Sequence, residues 1–424
     1  MKKKEFNYTY VIIGICFLMV GTSLGLCSSG RTMYLTAITD ALNLPRGAFS
    51  INDTIRFVTT TLVNLYFGKL VARFGTKKLI CAGFLCLILF AVINSFATEL
   101  LMFYIGSIFL GIGLSWTGTS MASTIVNKWC TSNKGTITGA VLAANGLGGA
   151  IAVQILSPII FAAGNPFGYR NSYYLVAVVL AVTLAIICVF YKEKPKNSNS
   201  ATDELPKKRK ARGAGWVGMS YTSAIRKPYF YITAACIFLT GMGLHILSGI
   251  AVPHMYDMGL SKEYVAAVTS FSSILLMVSK FATGFSYDRF GMRFSMNLCF
   301  VCAFLSLFGL VLITNTPLGR GIAFVRTIVS AFALPLETVM LPLYASELFG
   351  NKDFDKILGI FVSVNYSGFA IGAPLGNLCF DIFGDYKIAF LAFGIIMLFV
   401  TPAMQYSLTA ANKDKKLILD EQNI

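Results

Sequence analysis

The chain is short of charge. Only 13 % of its 424 residues are Asp, Glu, Lys or Arg, about half of what a soluble domain carries (about 25 %). Acids are especially scarce, 19 against 35 Lys and Arg. There are two histidines and three tryptophans. Nowhere does a G-x-x-x-x-G-K-[ST] phosphate-binding loop occur, so hydrolysis of ATP by this chain is excluded as an energy source. Cysteines near one another, such as Cys81 and Cys86, lack metal-ligand spacing, and no histidine lies beside them. They read as small hydrophobes rather than metal or disulfide partners. A soluble enzyme, a disulfide-stapled secreted module and a disordered scaffold all conflict with this composition. The expectation is a protein that is not an enzyme and needs no cofactor or metal.

Apolar sequence fills the space that charge leaves. Hydrophobic residues make up 56 % of the chain, Phe alone numbering 35. The apolar runs reach 18 residues or more, too long for the alternating strands of a membrane barrel and suited to helices of about 20 residues. Twelve helices are expected, over 8–37, 51–72, 78–97, 100–125, 135–162, 171–191, 229–251, 263–287, 292–314, 319–346, 356–380 and 386–409. The fold class is therefore an all-α membrane protein with twelve transmembrane helices in two pseudo-symmetric six-helix bundles. Residues 1–191 form the first bundle and 192–228 a basic linker. Residues 229–424 form the second bundle, with a short cytoplasmic tail.

The net charge of +16 does not indicate nucleic acid, because its distribution follows membrane topology. With the N-terminus inside, 26 of the 35 Lys and Arg fall in cytoplasmic segments. Six lie outside (Arg46, Arg56, Arg170, Lys262, Arg320 and Lys387), and Arg31, Lys280 and Arg326 lie within helices. Both termini and the linker are thus expected in the cytoplasm, the lipid bilayer being a partner and nucleic acid not. Residues 1–5 read as a basic lead into the first helix rather than a removable signal.

The halves repeat. GKLVARFGTKK at 68–78 and GFSYDRFGMRF at 284–294 are offset by 216 residues, and Gly139, Asn145, Gly148 and Ala150 match Gly359, Asn365, Gly368 and Ala370 at an offset of 220. Parallel repeats of this kind place a substrate site near the bilayer midplane.

The repeated block, with Gly68, Arg73 and Gly75 in one copy and Gly284, Asp288, Arg289 and Gly291 in the other, resembles that of the major facilitator superfamily of transporters. The resemblance implies a gating role for these residues. Ala72 stands where the first copy usually has Asp. Trp129, Lys134-Gly135, Gly139, Gly146 and Gly148, followed in helix eleven by Gly368, Ile371-Gly372, Pro374, Gly376, Asp381 and Gly384-Asp385-Tyr386, resemble the monocarboxylate and oxalate–formate branch. That branch has an Arg at the position of Lys280, four residues before Gly284, and uses it to bind substrate carboxylate. The branch also has a Lys in its first helix, near the place of Arg31. The resemblance therefore implies a cation pair holding an anion.

A cation inside a membrane is costly and usually faces a cavity. Lys280 can also be read as snorkelling to the cytoplasmic end of its helix, and Arg31 as an arginine at the outer interface. Glu337, between Pro335 and Pro342, stands alone as an acid well inside a helix and is the candidate proton carrier or counter-charge to Lys280. Counting turns places Arg326 on its side of helix ten, about 16 Å away, and Arg326 is read as structural. Proton-coupled members of the branch carry Asp one turn before the helix-eight cation, where this chain has Leu276. His245 is a second proton-coupling candidate. Tyr34, Asn145, Asn365 and Tyr366 complete the candidate substrate-binding set, the two asparagines being equally readable as helix-packing residues. The reading is a secondary transporter of a small mono- or dicarboxylate in a bacterial inner membrane. It would work as a monomer and use a proton or counter-anion. The alternative is an exporter of amphipathic or neutral compounds.

Overall fold

A computed structural model describes residues 8–29, 34–130, 132–162, 165, 167–193 and 218–422. Almost all of them are helical. The helices run α1 Thr9–Val20, continued by a π-helical turn Gly21–Leu26, α2 Tyr34–Leu42, α3 Arg46–Leu65, α4 Phe67–Phe74, α5 Thr76–Phe96, α6 Leu100–Thr117, α7 Thr119–Trp129, α8 Lys134–Ile160 and α9 Gly168–Phe190. They continue with α10 Tyr221–Ala224, α11 Pro228–Gly249, α12 Ala251–Asp257, α13 Lys262–Phe290, α14 Met292–Val311, α15 Pro317–Ala333, α16 Met340–Phe349, α17 Phe354–Phe383 and α18 Lys387–Gln422. A 3-10 turn, Leu334–Glu337, separates α15 from α16. Among the described residues, the only bridge between extended segments is Gly218 with Gly350.

Eleven of these stretches are long and apolar enough to cross a membrane. They coincide with eleven of the twelve expected runs. The twelfth, at 51–72, divides into α3 and α4. α3 has 20 residues, enough for about 30 Å, but carries Asn52, Asp53, Arg56, Thr59, Thr60, Thr61 and Asn64. Its polar stripe explains why it is the least apolar of the expected helices.

Local chemistry sets the helix starts. Ser261 accepts the Tyr264 N–H at the start of α13. Thr316 accepts the Gly319 N–H at the start of α15, with Pro317 in the first turn, where its missing N–H costs nothing. The expected single helix at 319–346 is a broken one. Pro335 cannot donate to the turn before it and crowds that turn's carbonyl, so the backbone tightens into a 3-10 turn there.

The chain divides into two compact units, one from Met1–Thr59 with Lys69–Ala214 and one from Thr60–Gly68 with Gly215–Ile424. In the first, α5 packs on α6 and α9, and α8 packs on the π-helical turn. Small residues set that second crossing: a Cβ on Gly148 would stand 2.1 Å from the Gly21 carbonyl oxygen, and one on Gly25 2.7 Å from Gly148 Cα. In the second unit α11 packs on α17 and α18, and α14 on α15 and α18. Gly368 and Gly372 meet α11 in the same way: an added Cβ would stand 2.4 Å from the Phe238 oxygen and 2.6 Å from that of Met242. Such close backbone approach is how helices associate where lipid removes the hydrophobic drive.

The repeated blocks have one backbone geometry. Gly75 has φ 79° and ψ 168°, and Gly291 has φ 88° and ψ 178°, a region that only glycine occupies readily. Each turns the chain between two helices, α4 to α5 and α13 to α14. Alanine at either glycine is expected to cost about 1–3 kcal/mol, read as a lower thermal unfolding midpoint of the purified protein.

Candidate functional site

The second unit holds a buried cation and a half-buried acid whose charges act on each other. Lys280, on α13, is 2 % exposed. Glu337 closes the 3-10 turn between α15 and α16. Their opposite charges interact, and Glu337 Oε2 has no hydrogen-bond partner. Two features of the chain produce this pairing. The 29-residue α13 carries Lys280 ten residues before its end, too deep for the ammonium to reach solvent. The break at Pro335 then puts Glu337 on a 3-10 turn, where turn counting along a continuous helix does not set the direction of its carboxylate. The same break corrects the turn-counting link between Arg326 and Glu337. The segment joining them changes from 3.6 to about 3 residues per turn, so a shared face does not follow.

The arrangement is a buried positive charge whose partner is an internal carboxylate. Anion binding is one chemistry open to it. A carboxylate from outside presents Lys280 with the same group that Glu337 does, and in taking that place it sets the Glu337 charge free.

In the same unit, Tyr366 meets Phe369 edge-on at 5.5 Å, and His245 stacks on the same Phe369 at 5.0 Å. Two candidates, one on α11 and one on α17, thus share one aromatic partner. Asn365 is buried with its Nδ2 unpartnered and lines a small cavity with Thr240 and Tyr344, whose hydroxyl is also unpartnered.

The remaining candidates lie in the first unit. Asn145 Oδ1 accepts the Ser29 hydroxyl at 2.8 Å, tying α8 to the end of the first span. Tyr34 is buried, pairs its hydroxyl with Ser172 and stacks on Tyr173 at 4.3 Å. Arg31 lies outside the described residues. Of the gating motif, Gly68 belongs to the second unit, where a Cβ would stand 2.5 Å from Lys356 Cα. Lys356 in turn pairs with Asp353 at 2.9 Å. Burial pushes the Asp353 carboxyl up, but the Tyr221 N–H and the Lys356 charge outweigh it and hold it below its usual range. Arg73 and Arg289 each lie over the ring that follows them, Phe74 and Phe290. Gly284 is on α13 with Asp288, one turn past Lys280.

Sequence reasoning missed two cations. Arg56, counted among outer-segment residues, is largely buried on α3. It donates to Ser28 at 2.8 Å, pairs with Asp53 at 3.3 Å and covers Phe57. The polar stripe of α3 was the available signal. Arg326, read as structural, is 7 % exposed and lines a cavity. Nothing in its local sequence marks that.

The description "Major Facilitator Superfamily" matches residues 11–342. The chain belongs to that superfamily. It is a multi-pass membrane transporter and not an enzyme. Monocarboxylate transporter 2 of Homo sapiens is 21 % identical over 437 residues, covering 97 % of this chain and 88 % of the relative. The uncharacterized MFS-type transporter YcxA of Bacillus subtilis is 24 % identical over 360 residues, 84 % of each chain. Among solved structures, the proton:xylose symporter XylE bound to 6-bromo-6-deoxy-D-glucose superimposes with a TM-score of 0.76 at 14 % identity, covering 95 % of this chain and 97 % of that one. The likeness to a sugar symporter concerns the fold. Superfamily members share an architecture while differing in cargo, so the cargo has to be argued from the site.

Proposed function

We propose that the chain carries a small organic anion, a mono- or dicarboxylate, across a bacterial inner membrane by alternating access. Lys280 holds the carboxylate. Glu337 serves as the internal counter-charge that Lys280 faces when no substrate is bound. The observation that carries this reading is the buried Lys280, with the half-buried Glu337 near enough for their opposite charges to interact. The similarity to a protein named monocarboxylate transporter 2 supports it. A buried charge left without a partner costs several kcal/mol, so exchanging one carboxylate for another is the low-energy way to load the site. Arg31 is the second cation of this reading, and the glycine–arginine blocks are its gates. The Lys and Arg bias supports termini on the cytoplasmic side, and a single chain suffices for the cycle.

The test is flux in proteoliposomes loaded with unlabelled carboxylates, with labelled carboxylate outside and the pH gradient varied. Uptake that requires an internal anion means exchange, the expected result with Leu276 at the usual proton-carrier position. Uptake driven by an inward proton gradient alone would make the protein a symporter, with Glu337 or His245 carrying the proton. Absence of carboxylate flux under both conditions overturns the reading in favour of an exporter of amphipathic or neutral compounds.

A further inference from the structure

Arg326 is the least explained charge in the second unit. It is 7 % exposed. Its stem fills the space left by Gly309 on α14, where a Cβ would meet Arg326 Cγ at 2.9 Å. Its Nε–H donates to Ser306 at 3.2 Å. Among the described residues no carboxylate forms an ion pair with it. Four of its five N–H donors are therefore left for something else. Arg326 lines a cavity between α11, α12, α13 and α15.

The other walls of that cavity define what it can hold. Five hydroxyls line it, Ser272 among them, and the other four each spend their proton on a backbone carbonyl one turn back. Ser248 donates to Leu244, Thr269 to Val265, Thr327 to Ala323 and Ser330 to Thr327, all within 2.7–2.9 Å. These oxygens consequently turn lone pairs, not protons, toward the cavity. The rest of the lining is aliphatic, including Leu247, Val268 and Leu334. One end thus offers a planar cationic fork, matched to a carboxylate in two parallel hydrogen bonds. The remainder repels a second negative charge and accepts a short apolar body.

We propose that this cavity is a second anion site, which binds a small monocarboxylate through Arg326. It is separate from the Lys280–Glu337 pair. Neither Lys280 nor Glu337 lines the Arg326 cavity. The site stands on Arg326 and its cavity, so it does not require Lys280 to be the transport residue. A cargo anion would occupy the two positions in turn.

The test measures binding rather than flux. Full-length protein in nanodiscs of uncharged lipid is titrated with sodium propionate at constant ionic strength, and the thermal unfolding midpoint is followed. All variants are made in a Lys280→Gln, Glu337→Gln background, which removes the cation of the proposed transport site together with its counter-charge, and this background is expected to rise saturably. In Arg326→Gln the half-saturating concentration is expected to increase about tenfold or more, the scale of one charge-assisted hydrogen bond, with Arg326→Lys in between. Succinate should be a weaker ligand than propionate. Ser272→Leu, which fills the cavity and leaves the guanidinium in place, is expected to abolish the response even if Arg326→Gln fails to fold. A propionate response that survives both Arg326→Gln and Ser272→Leu overturns the proposal. So does the absence of any response in the folded background variant.

Discussion

Alanine at Lys280 is expected to reduce carboxylate flux about 100-fold, while arginine retains a substantial part of it. The magnitude follows from the pair. Removing a charge that faces a half-buried carboxylate without close contact costs less than the roughly 3–5 kcal/mol of a broken buried ion pair, and about 2.7 kcal/mol corresponds to about 100-fold in affinity. Here the group that loses its partner is Glu337, one of whose oxygens already lacks a hydrogen bond. Part of the loss is therefore instability rather than substrate binding. The double variant Lys280→Ala with Glu337→Gln separates the two. It is expected to regain the thermal midpoint of the wild type to within a few degrees and to remain inactive. Recovery of flux in the double variant would show that Lys280 only balances Glu337 and touches no cargo.

Valine at Gly148 is expected to prevent assembly of the first unit. The added Cβ would lie 2.1 Å from the Gly21 oxygen, 2.8 Å from its carbonyl carbon and 2.9 Å from its Cα. All three are backbone atoms, so neither helix has a flexible group to move aside. The yield of monodisperse protein should fall about tenfold or more, since overpacking of this kind costs upward of about 1–3 kcal/mol. Alanine at Gly14 or Gly321 supplies the contrast. A Cβ at either meets nothing within 4 Å, and both are helical. These variants should match or exceed wild type by up to about 1 kcal/mol. Equal yields for Gly148→Val and Gly14→Ala would show that the close crossing of α8 with the π-helical turn is dispensable.

The two predictions draw on different depths of the sequence. The spans were legible because each is a long apolar run, and the repeat because Gly75 and Gly291 need a backbone angle that other residues avoid. Lys280 and Glu337 stood out because ionised groups are rare in such runs. Their pairing was open to suspicion as well, as a buried charge needs a partner. Arg326 was not legible. A cation near a helix end has the same local sequence whether it reaches water or faces a cavity, and the deciding neighbours, Ser306, Gly309 and Ser330, come from other turns and another helix. Arg56 was misplaced for a similar reason, since its carriers Asp53 and Ser28 lie on two different elements. Pro335 and Pro342 were visible, but the shape of the interruption they produce depends on packing against α11, α13 and α14.

That interruption has a mechanical meaning. A continuous helix is a stiff rod and passes twist from one end to the other. Between Ala333 and Met340 the rod is cut by a tighter turn, which behaves as a universal joint. The segment bearing Arg326 and the segment beginning at Met340 are two separate shafts, and Glu337 belongs to neither: it sits in the joint itself, where a turn of either shaft displaces it least.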